Sequence, residues 1–200
     1  MKRMILASGS PRRKELLQML EVPFEVLVSD TKEVITKNEP AEVTKELSYQ
    51  KAMAVAEQVE EGIIIGADTV VSIDGKILGK PADTEEAREM IYKLQGKSHM
   101  VYTGVTVIAK SGDMVSASSF AEGTKVNVAP MTENEIEAYI STDEPYDKAG
   151  AYGIQGLFGK FIEGIKGDYF NVVGLPVHRL YEELKLSLIH ISEPTRRRGI

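Results

Sequence analysis

The residues that follow the first apolar stretch of the chain could bind an anion. Ser10 suits the N-cap of a helix and Pro11 suits its first position, with Ser8 just before them. Arg12 and Arg13 then fall in the first turn, where unpaired N–H groups and the helix dipole disfavour cations. A polyanion bound to the hydroxyls, the N–H groups and the guanidinium groups would reverse that cost. The segment therefore predicts a phosphate site; the alternative is that both arginines face solvent or pair with distant acidic residues.

Asp68 is a carboxylate in a segment that should be buried. Residues 62–67, directly before it, form a continuous run of apolar and small side chains, which indicates a strand buried on both faces. Burying an unpaired carboxylate is costly, so the sequence predicts a cation, a metal or several hydrogen bonds beside it. The alternative is a structural aspartate that caps a turn or a helix, with Thr69 an ordinary strand residue.

Two lysines and one glycine-rich segment could complete a ligand site. Lys80 follows Gly79 after a predicted hairpin and could place a point charge on a phosphate, and Lys51 lies in the alanine-rich part of a predicted helix. Segment 147–156 contains three glycines, and the amide of Gln155 can both donate to and accept from the edge of a heterocycle. Each feature also has an ordinary explanation: a solvated loop lysine, a lysine that extends outward from its helix, and a mobile loop.

The sequence offers oxygen ligands but no sulfur ligands for a metal. It has no cysteine, which excludes disulfides and thiolate metal sites. Its three histidines have no metal-binding spacing, and it contains neither a Walker loop nor a Gly-x-Ser-x-Gly motif. Asp68, Glu33 and Asp30 could bind Mg²⁺ or Mn²⁺ through carboxylate oxygens.

The composition of the chain argues against several classes of protein. The 200 residues are 42% hydrophobic and 27% charged, so one medium domain, or one domain with two lobes, can bury a sizeable core. The formal net charge of −6 argues against a nucleic-acid coat but permits a small phosphorylated substrate in a local basic pocket. No apolar run reaches the roughly 18 residues of a membrane span, and the apolar stretch near the N-terminus is too short for a signal peptide. These features predict a cytoplasmic protein without a membrane segment.

Alternating strands and helices must position the polar residues. The sequence predicts strands at 4–7, 24–28, 62–73, 76–79, 101–109 and 114–128, and strand-like pieces at 160–162 and 169–173. It predicts helices from Pro11, at 40–58, at 84–94, from Thr132 and from Pro176. Thr84 and Thr132 are the predicted N-caps of two of these helices, and Glu135 completes a capping box at the second. Because two hairpins interrupt the alternation, the pattern predicts an α/β fold with a mixed, twisted sheet and flanking helices.

The last residues of the sequence differ from the rest. After Lys185 the helical period is lost, Pro194 would break a helix, and three arginines follow close together. We therefore predict a single domain over residues 1–186 and a non-native, vector-derived tail over residues 187–200. The alternative is a natural basic tail that binds nucleic acid.

Five segments, taken in order, resemble the Maf family of nucleotide pyrophosphatases. They are residues 6–17, 66–71, 78–81, 147–156 and 167–176. The resemblance implies hydrolysis of a nucleoside triphosphate to the monophosphate and pyrophosphate with a divalent metal, Mg²⁺ or Mn²⁺. It also implies an elongated α/β fold whose two lobes enclose a cleft, related to the inosine triphosphate pyrophosphatases. The Gly-Ile-Gln-Gly pattern around Gln155 resembles the branch that acts on dTTP and UTP. The alternatives are a purine or 7-methyl-GTP pyrophosphatase and a nucleotide-binding regulator of cell division.

The resemblance further implies roles for individual residues. Asp68 matches the family's proton acceptor, and Arg12, Thr69 and Gln155 match positions associated with substrate choice. The other polar residues expected to bind the substrate are Ser8, Ser10, Arg13, Lys51 and Lys80. Glu33 is the first choice for a metal ligand together with Asp68. The expected partner is a nucleotide, with neither nucleic acid nor membrane, and a homodimer is compatible with the fold.

Overall fold

The computed structural model describes the backbone of residues 3–28, 30 and 32–192, and the side chains of this part of the chain up to residue 186. Its strands are β1 (Met4–Ala7), β2 (Glu25–Val26), β3 (Glu61–Ile73), β4 (Lys76–Leu78), β5 (Ser98–Ser111), β6 (Met114–Val128) and β7 (Ile162–Lys166). Its α-helices are α1 (Pro11–Gln18), α2 (Pro40–Ala56), α3 (Thr84–Leu94), α4 (Glu133–Ile140), α5 (Tyr169–Val173) and α6 (Val177–Ser192). Three short 3-10 helices lie before β7, at Glu144–Asp147, Ala149–Ala151 and Leu157–Phe161.

One mixed sheet holds these strands, in the order β2-β1-β3-β5-β6-β7, with β4 paired to β3. β1 is parallel to β2 and β3, whereas the other pairs are antiparallel. The edge strand β2 is shorter than the predicted strand at 24–28, because it pairs only briefly with β1. β1 ends with Ala7 opposite Gly66, while β3 continues and places Asp68 opposite Gly104 of β5. The carboxyl end of β1 therefore opens beside the middle of β3, the kind of position where α/β sheets bind ligands.

Three long strands connect two lobes. β3, β5 and β6 contain 13, 14 and 15 residues. At roughly 3.3 Å per residue each is about 45 Å long. At one end, α1 and α6 pack on the sheet through Leu17 and Leu180, and at the other end α3 and α4 pack through Ile91 and Ile136. α2 packs through Val55 against the opposite face, formed by the alternate residues of the strands.

The N-cap predicted at Thr84 is wrong by one residue. Asp83 is the N-cap of α3, because its carboxylate accepts a hydrogen bond from the backbone N–H of Glu86 at 2.9 Å. The capping box predicted for Thr132 and Glu135 at the start of α4 is confirmed. Aspartate and threonine both cap helices well, so their types alone do not decide between neighbouring positions.

Residues 169–173 form a helix, α5, where the sequence predicts a strand-like piece. Asp168 caps this helix by accepting from the backbone N–H of Phe170 at 2.8 Å, and Gly174, with a φ of +128°, ends it. The aromatic and β-branched side chains favour a strand, but the two caps stabilise a short helix instead. The strand in this region is β7, which begins at the end of the predicted piece at 160–162.

The last helix is longer than predicted. α6 continues to Ser192, so the loss of helical structure predicted after Lys185 is wrong for this stretch. Neither glycine nor proline interrupts residues 186–192, and a helix can therefore extend through them. Residues 193–200, which include the break predicted at Pro194, lie outside the described residues, and the origin of the tail stays a prediction. In the part of the chain that is described, no helix has the length and apolar character to cross a membrane.

Candidate active site

A cleft of about 1060 Å³ opens between the two lobes, beside the middle of β3. Its walls come from α1, the segment before α2, α2 itself, β3, β4, β5, α5 and the residues from 144 to 156. The predicted site residues that line it are Ser10, Arg12, Arg13, Glu33, Lys51, Asp68, Thr69, Lys80 and Gln155. The fold therefore brings together residues that are distant in the sequence. Ser8 and Asp30, both described, lie outside this lining.

Arg13 is oriented by three protein acceptors. Its guanidinium donates to Ser8 Oγ at 3.1 Å, to Thr69 Oγ1 at 3.0 Å and to the carbonyl oxygen of Gly174 at 2.9 Å. Ser8 is only 8% exposed, so it positions Arg13 and does not line the cleft as predicted. Burial lowers the pKa of the Arg13 guanidinium from its usual value, and the negative charge of Asp68 opposes this shift. Arginine stays protonated in proteins, so the cleft receives a cation of fixed orientation.

The hydroxyl proton of Thr69 is already committed. Thr103 Oγ1 donates its single proton to the carbonyl oxygen of Asn171 at 2.9 Å. Thr69 is therefore the donor in the 2.9 Å contact between the two threonine hydroxyls. Thr69 also accepts a hydrogen bond from Arg13, which leaves one lone pair. Thr69 can accept a hydrogen bond from a bound ligand but has no proton to donate to it.

Lys51 joins two carboxylates of the cleft, the partly buried Asp68 and the exposed Glu33. Its Nζ donates to Asp68 Oδ1 and lies 3.0 Å from Glu33 Oε1. The side chain of Asp68 is only 13% exposed. The cation predicted beside this buried acid is therefore present, and it is supplied by the lysine of α2.

Two glycines of the sheet allow α2 to bring Lys51 to Asp68. A Cβ at Gly66 would lie 2.3 Å from a backbone oxygen of α2, and a Cβ at Gly104 would lie 2.2 Å from a backbone carbon of the same helix. Any side chain at either position would push α2 away from the sheet. The position of Lys51 thus depends on residues that have no chemistry of their own.

The segment that carries Glu33 is fastened to α2 by two side chains. The amide of Gln50 donates to the carbonyl oxygen of Val34 at 2.6 Å and accepts from its N–H at 3.0 Å. The carboxylate of Glu46 accepts from the N–H of Thr36 at 2.9 Å and also from its hydroxyl. These paired hydrogen bonds keep Glu33 beside the cleft although the segment has no regular secondary structure.

Charged groups from both lobes meet at the opening of the cleft. Arg12 Nη1 of α1 lies 3.6 Å from Asp147 Oδ2. Lys148 donates to the same carboxylate and, at 2.7 Å, to the carbonyl oxygen of Glu144. Partial burial acts to raise the pKa of Asp147, but the hydrogen bond from Lys148 and the charges of Lys148 and Arg12 outweigh burial and lower this pKa. Lys80 and Gln155 are exposed on this lining.

Sequence comparison shows the family of this chain. The family described as Maf-like protein matches residues 3–187. This chain belongs to the Maf-like protein family. Two relatives, from Bacillus cytotoxicus and Bacillus cereus, are each named dTTP/UTP pyrophosphatase; they are 54% and 50% identical to this Maf-like chain. Each alignment covers 92% of this chain and 95% of the relative.

Among solved structures, the Ham1 protein of Staphylococcus aureus resembles this Maf-like chain with a TM-score of 0.53. It is 13% identical in sequence, and the match covers 96% of this chain and 100% of that one. At this identity the similarity concerns the fold alone. It agrees with the mixed α/β architecture expected from the resemblance.

The cleft of this Maf-like protein is more basic than the chain as a whole. Its cationic lining residues are Arg12, Arg13, Lys37, Lys51, Lys80 and Lys148. Its acidic lining residues are Glu33, Asp68, Glu144 and Asp147. The formal net charge of the chain is −6, so positive charge is concentrated where a polyanion would bind.

Sequence reasoning missed Lys37 and Glu144 in the lining of this Maf-like chain. It included Asp147, Lys148 and Tyr152 in the candidate binding segment 147–156 but assigned a role there only to Gln155. Nothing in the sequence marked Lys37 or Glu144, because their place in the cleft depends on how two separate loops fold against α2 and α4.

The donors present in the cleft suit Mg²⁺ or Mn²⁺. Asp68 and Glu33 bring carboxylate oxygens to the same point, since both contact Lys51 Nζ. Mg²⁺ is commonly held by one or two carboxylates together with water and the phosphates of a substrate. Among the described residues, no group of three or more His, Cys, Asp or Glu side chains forms a metal site.

Proposed function

We propose that this Maf-like chain hydrolyses dTTP and UTP to the nucleoside monophosphate and pyrophosphate. The observation that carries the proposal is Asp68, a carboxylate only 13% exposed, in a cleft whose lining is rich in cations. Relatives that are 50% and 54% identical over most of the chain are named for this activity, which supports the same reading.

The cations of the cleft would bind the triphosphate. Arg13 offers the most rigid charge, because three hydrogen bonds fix its guanidinium. Arg12 would exchange its long contact with Asp147 for a phosphate oxygen, which guanidinium groups bind well. Lys80 is exposed on the cleft and would add a point charge. Together these groups would hold the phosphates in place and neutralise charge that develops during the reaction.

Asp68 would act as the proton acceptor. A water molecule attacks the α-phosphorus, and Asp68 takes its proton as the new P–O bond forms. The bond from the α-phosphorus to its bridging oxygen breaks, and the electron pair leaves with pyrophosphate. Lys51, which already contacts Asp68, orients this carboxylate before the attack.

Glu33 and Asp68 would hold the divalent metal, together with phosphate oxygens of the substrate. When bound, a Mg²⁺ or Mn²⁺ ion neutralises phosphate charge and polarises a phosphoryl oxygen. The hydrogen bonds of Gln50 and Glu46 to the Glu33 segment would keep this ligand in place.

Gln155 would read the base. Its amide can donate to O4 and accept from N3–H of uracil or thymine, forming two parallel hydrogen bonds. The same amide rotated by half a turn would pair equally well with cytosine. Selection of uracil and thymine therefore requires a contact to the amide that fixes its orientation.

The test compares the wild-type protein with Asp68→Asn against dTTP, UTP, CTP, ITP and 7-methyl-GTP in Mg²⁺ or Mn²⁺, with pyrophosphate and orthophosphate measured separately. We expect pyrophosphate from dTTP and UTP, and a loss of about 10²-fold or more in kcat for Asp68→Asn. Asp74→Asn is the matched control, because Asp74 occupies a turn with a φ of +50° that asparagine also adopts.

Each other outcome has a distinct meaning. Pyrophosphate from the purine nucleotides alone would keep the reaction and reject the base assignment. Binding without any product would favour a nucleotide sensor. Near wild-type turnover by Asp68→Asn would remove Asp68 from the mechanism.

The setting of the enzyme also belongs to this proposal. We place it in the cytoplasm, where nucleotide pools are found. The chain has no cysteine and therefore needs no oxidising compartment for disulfide formation. We expect the nucleotide to be its partner, without nucleic acid, and a homodimer is compatible with the fold.

A further inference from the structure

Alternate residues of the segment before α2 face the cleft. Those that line it are Glu33, Ile35 and Lys37, followed by Asn38. The backbone N–H groups of Val34 and Thr36 point instead to α2, where Gln50 and Glu46 accept them at 3.0 and 2.9 Å. In an extended chain the N–H groups of residues two apart point to the same edge, and successive side chains alternate between the two faces. Residues 33–37 are therefore extended, with the odd-numbered side chains towards the cleft.

This segment runs beside α2 in the opposite direction. The two attachment points on the helix are four residues apart, a rise of about 6 Å. Those on the segment are two residues apart, about 6.6 Å of extended chain, so the two spacings match. Glu33 lies 3.0 Å from Lys51 at one end of the contact. The next cleft-facing residue, Ile35, is therefore level with Leu47, which comes one helical turn before Lys51 and also lines the cleft.

Ile35 is an apolar side chain that is left exposed in a fixed position. It is 58% exposed, although the backbone on either side of it is held by α2. Isolated apolar side chains are common on protein surfaces, but a second exposed isoleucine, Ile77 of β4, lines the same cleft. Apolar side chains among the charges of a cleft are typical of a site whose ligand has a weakly polar part as well as a charged one.

The segment leads away from the arginines of α1. A Cβ at Gly66, which pairs with the last residue of β1, would meet Ser48 of α2. A Cβ at Gly104, which pairs with Asp68, would meet Thr44. α2 is therefore antiparallel to β3, and residues 33–37 run in the direction of β3. This direction leads away from the end of β1, where α1 begins.

We propose that Ile35 is a substrate-binding residue whose side chain packs against the sugar and base of the nucleotide. The inference rests on the proposed function for the identity of this ligand. The phosphates occupy the side of the cleft that carries the arginines and the two acids, and the nucleoside is bonded to the α-phosphate and extends from there. Ile35 comes one extended step, about 6.6 Å, beyond Glu33. An apolar side chain there suits the carbon atoms of a sugar and the face of a base, whereas beside a phosphate it would displace water without replacing the hydrogen bonds.

The test compares Ile35→Ala with Val34→Ala in the full-length protein. Val34 is the matched control, because it is 55% exposed on the same segment and, as a described residue, lies outside the lining of the cleft. In Ile35→Ala we expect KM for UTP to rise about tenfold while kcat changes by less than about twofold, since the lost contact is made equally in the ground and transition states. Val34→Ala should leave both constants unchanged.

Two inhibitors identify the part of the nucleotide that Ile35 contacts. Uridine monophosphate retains the nucleoside, so its inhibition constant should rise about tenfold in Ile35→Ala. Inorganic tripolyphosphate has no nucleoside, and its inhibition constant should change by less than about twofold. Equal losses for both inhibitors, or the same losses in Val34→Ala, would overturn the inference, because the effect would then come from the segment as a whole.

An unchanged KM for UTP in Ile35→Ala would also overturn the inference. Lys37→Gln would then identify what lies along the segment, because phosphates bound there would make inhibition by tripolyphosphate weaker in this variant. Pyrophosphate release by the wild-type protein together with these results would leave the proposed function intact and reject the role of Ile35 alone.

Binding measurements cover the opposite case. If the wild-type protein binds UTP but releases no pyrophosphate from any nucleotide, the proposed function fails, and calorimetry with UTP and tripolyphosphate still tests Ile35. Binding of UTP should then weaken about tenfold in Ile35→Ala while binding of tripolyphosphate is retained. Retained binding of UTP by Ile35→Ala, or a wild-type protein that binds tripolyphosphate but no nucleotide, would overturn the inference.

Discussion

Each threonine hydroxyl has a single proton to donate, and this determines the direction of the hydrogen bonds between Thr69 and Thr103. The chain of hydrogen bonds from Arg13 through Thr69 and Thr103 to the carbonyl oxygen of Asn171 runs in one direction only. The family resemblance associated Thr69 with substrate choice, and the structure specifies that Thr69 can offer a ligand one lone pair. A ligand group that meets Thr69 must therefore carry a proton.

Replacing Thr69 by valine should expose this dependence. Valine keeps the shape but leaves Arg13 Nη2 without an acceptor and removes the proton that Thr103 accepts, so we expect the free energy of unfolding to fall by about 1–3 kcal/mol. The KM for UTP should rise because Arg13 loses one of its three fixed acceptors. Urea denaturation and steady-state kinetics measure both effects. Thr69→Ser retains the hydroxyl, and a loss in Thr69→Ser as large as in Thr69→Val would refute the argument.

At the scale of elements, the reaction centre depends on how closely α2 packs on the sheet. Lys51 contacts Asp68 only because Gly66 and Gly104 have no side chains under the helix. The alanine-rich part of α2 and the small residues before Asp68 are visible in the sequence, but their contact is not. Sequence reasoning therefore identified both charged residues without being able to pair them.

Gly104→Ala should separate α2 from the sheet. A Cβ there would meet the backbone of α2 at 2.2 Å, so we expect a loss of about 1–3 kcal/mol in the free energy of unfolding from overpacking. We also expect a fall in kcat, because Lys51 would move away from Asp68. Gly164→Ala in β7, where a Cβ meets nothing within 4 Å, is the control. Equal stability of the two variants would show that α2 can accommodate a side chain at position 104 without loss of packing.

At the scale of the whole molecule, one buried histidine couples stability to pH. His99 is 3% exposed, its Nε2 lies 2.6 Å from the hydroxyl of Tyr152, and its Nδ1 has no partner among the described groups. Burial lowers the pKa of His99 to about 4 from 6.5. The unfolded chain therefore binds a proton in a range of pH where the folded protein does not.

The sign of this effect follows from the lowered pKa. Above pH 6.5 the neutral His99 does not reduce the stability of the folded protein. As the pH falls from 6.5 towards about 4, the free energy of unfolding decreases, because the unfolded chain binds the proton and the folded protein does not. Between about pH 7.5 and about pH 5.5 we expect the free energy of unfolding to fall by about 1 kcal/mol. Urea denaturation at both pH values measures this, and His99→Gln, which cannot gain the proton, should show a smaller difference. The same pH dependence in His99→Gln would assign the effect to other groups.

The amino-acid sequence by itself determined the chemical types of the site and most of the elements that carry it. Three features depend only on residues close together in the sequence, and the sequence therefore shows them. They are the polar residues at the ends of apolar runs, the cations of the first helix and the capping box at Thr132. The family resemblance rests on such short segments as well, which is why it was visible before the fold.

Only the tertiary structure decided which of these groups meet. Ser8 orients Arg13, Lys51 pairs with both Asp68 and Glu33, and Gln50 holds the segment of Glu33 through contacts between distant segments. Residues 169–173 became helical because caps on both sides outweighed their preference for a strand. Packing distances and the direction of each shared proton depend on the whole fold, and no local pattern contains them.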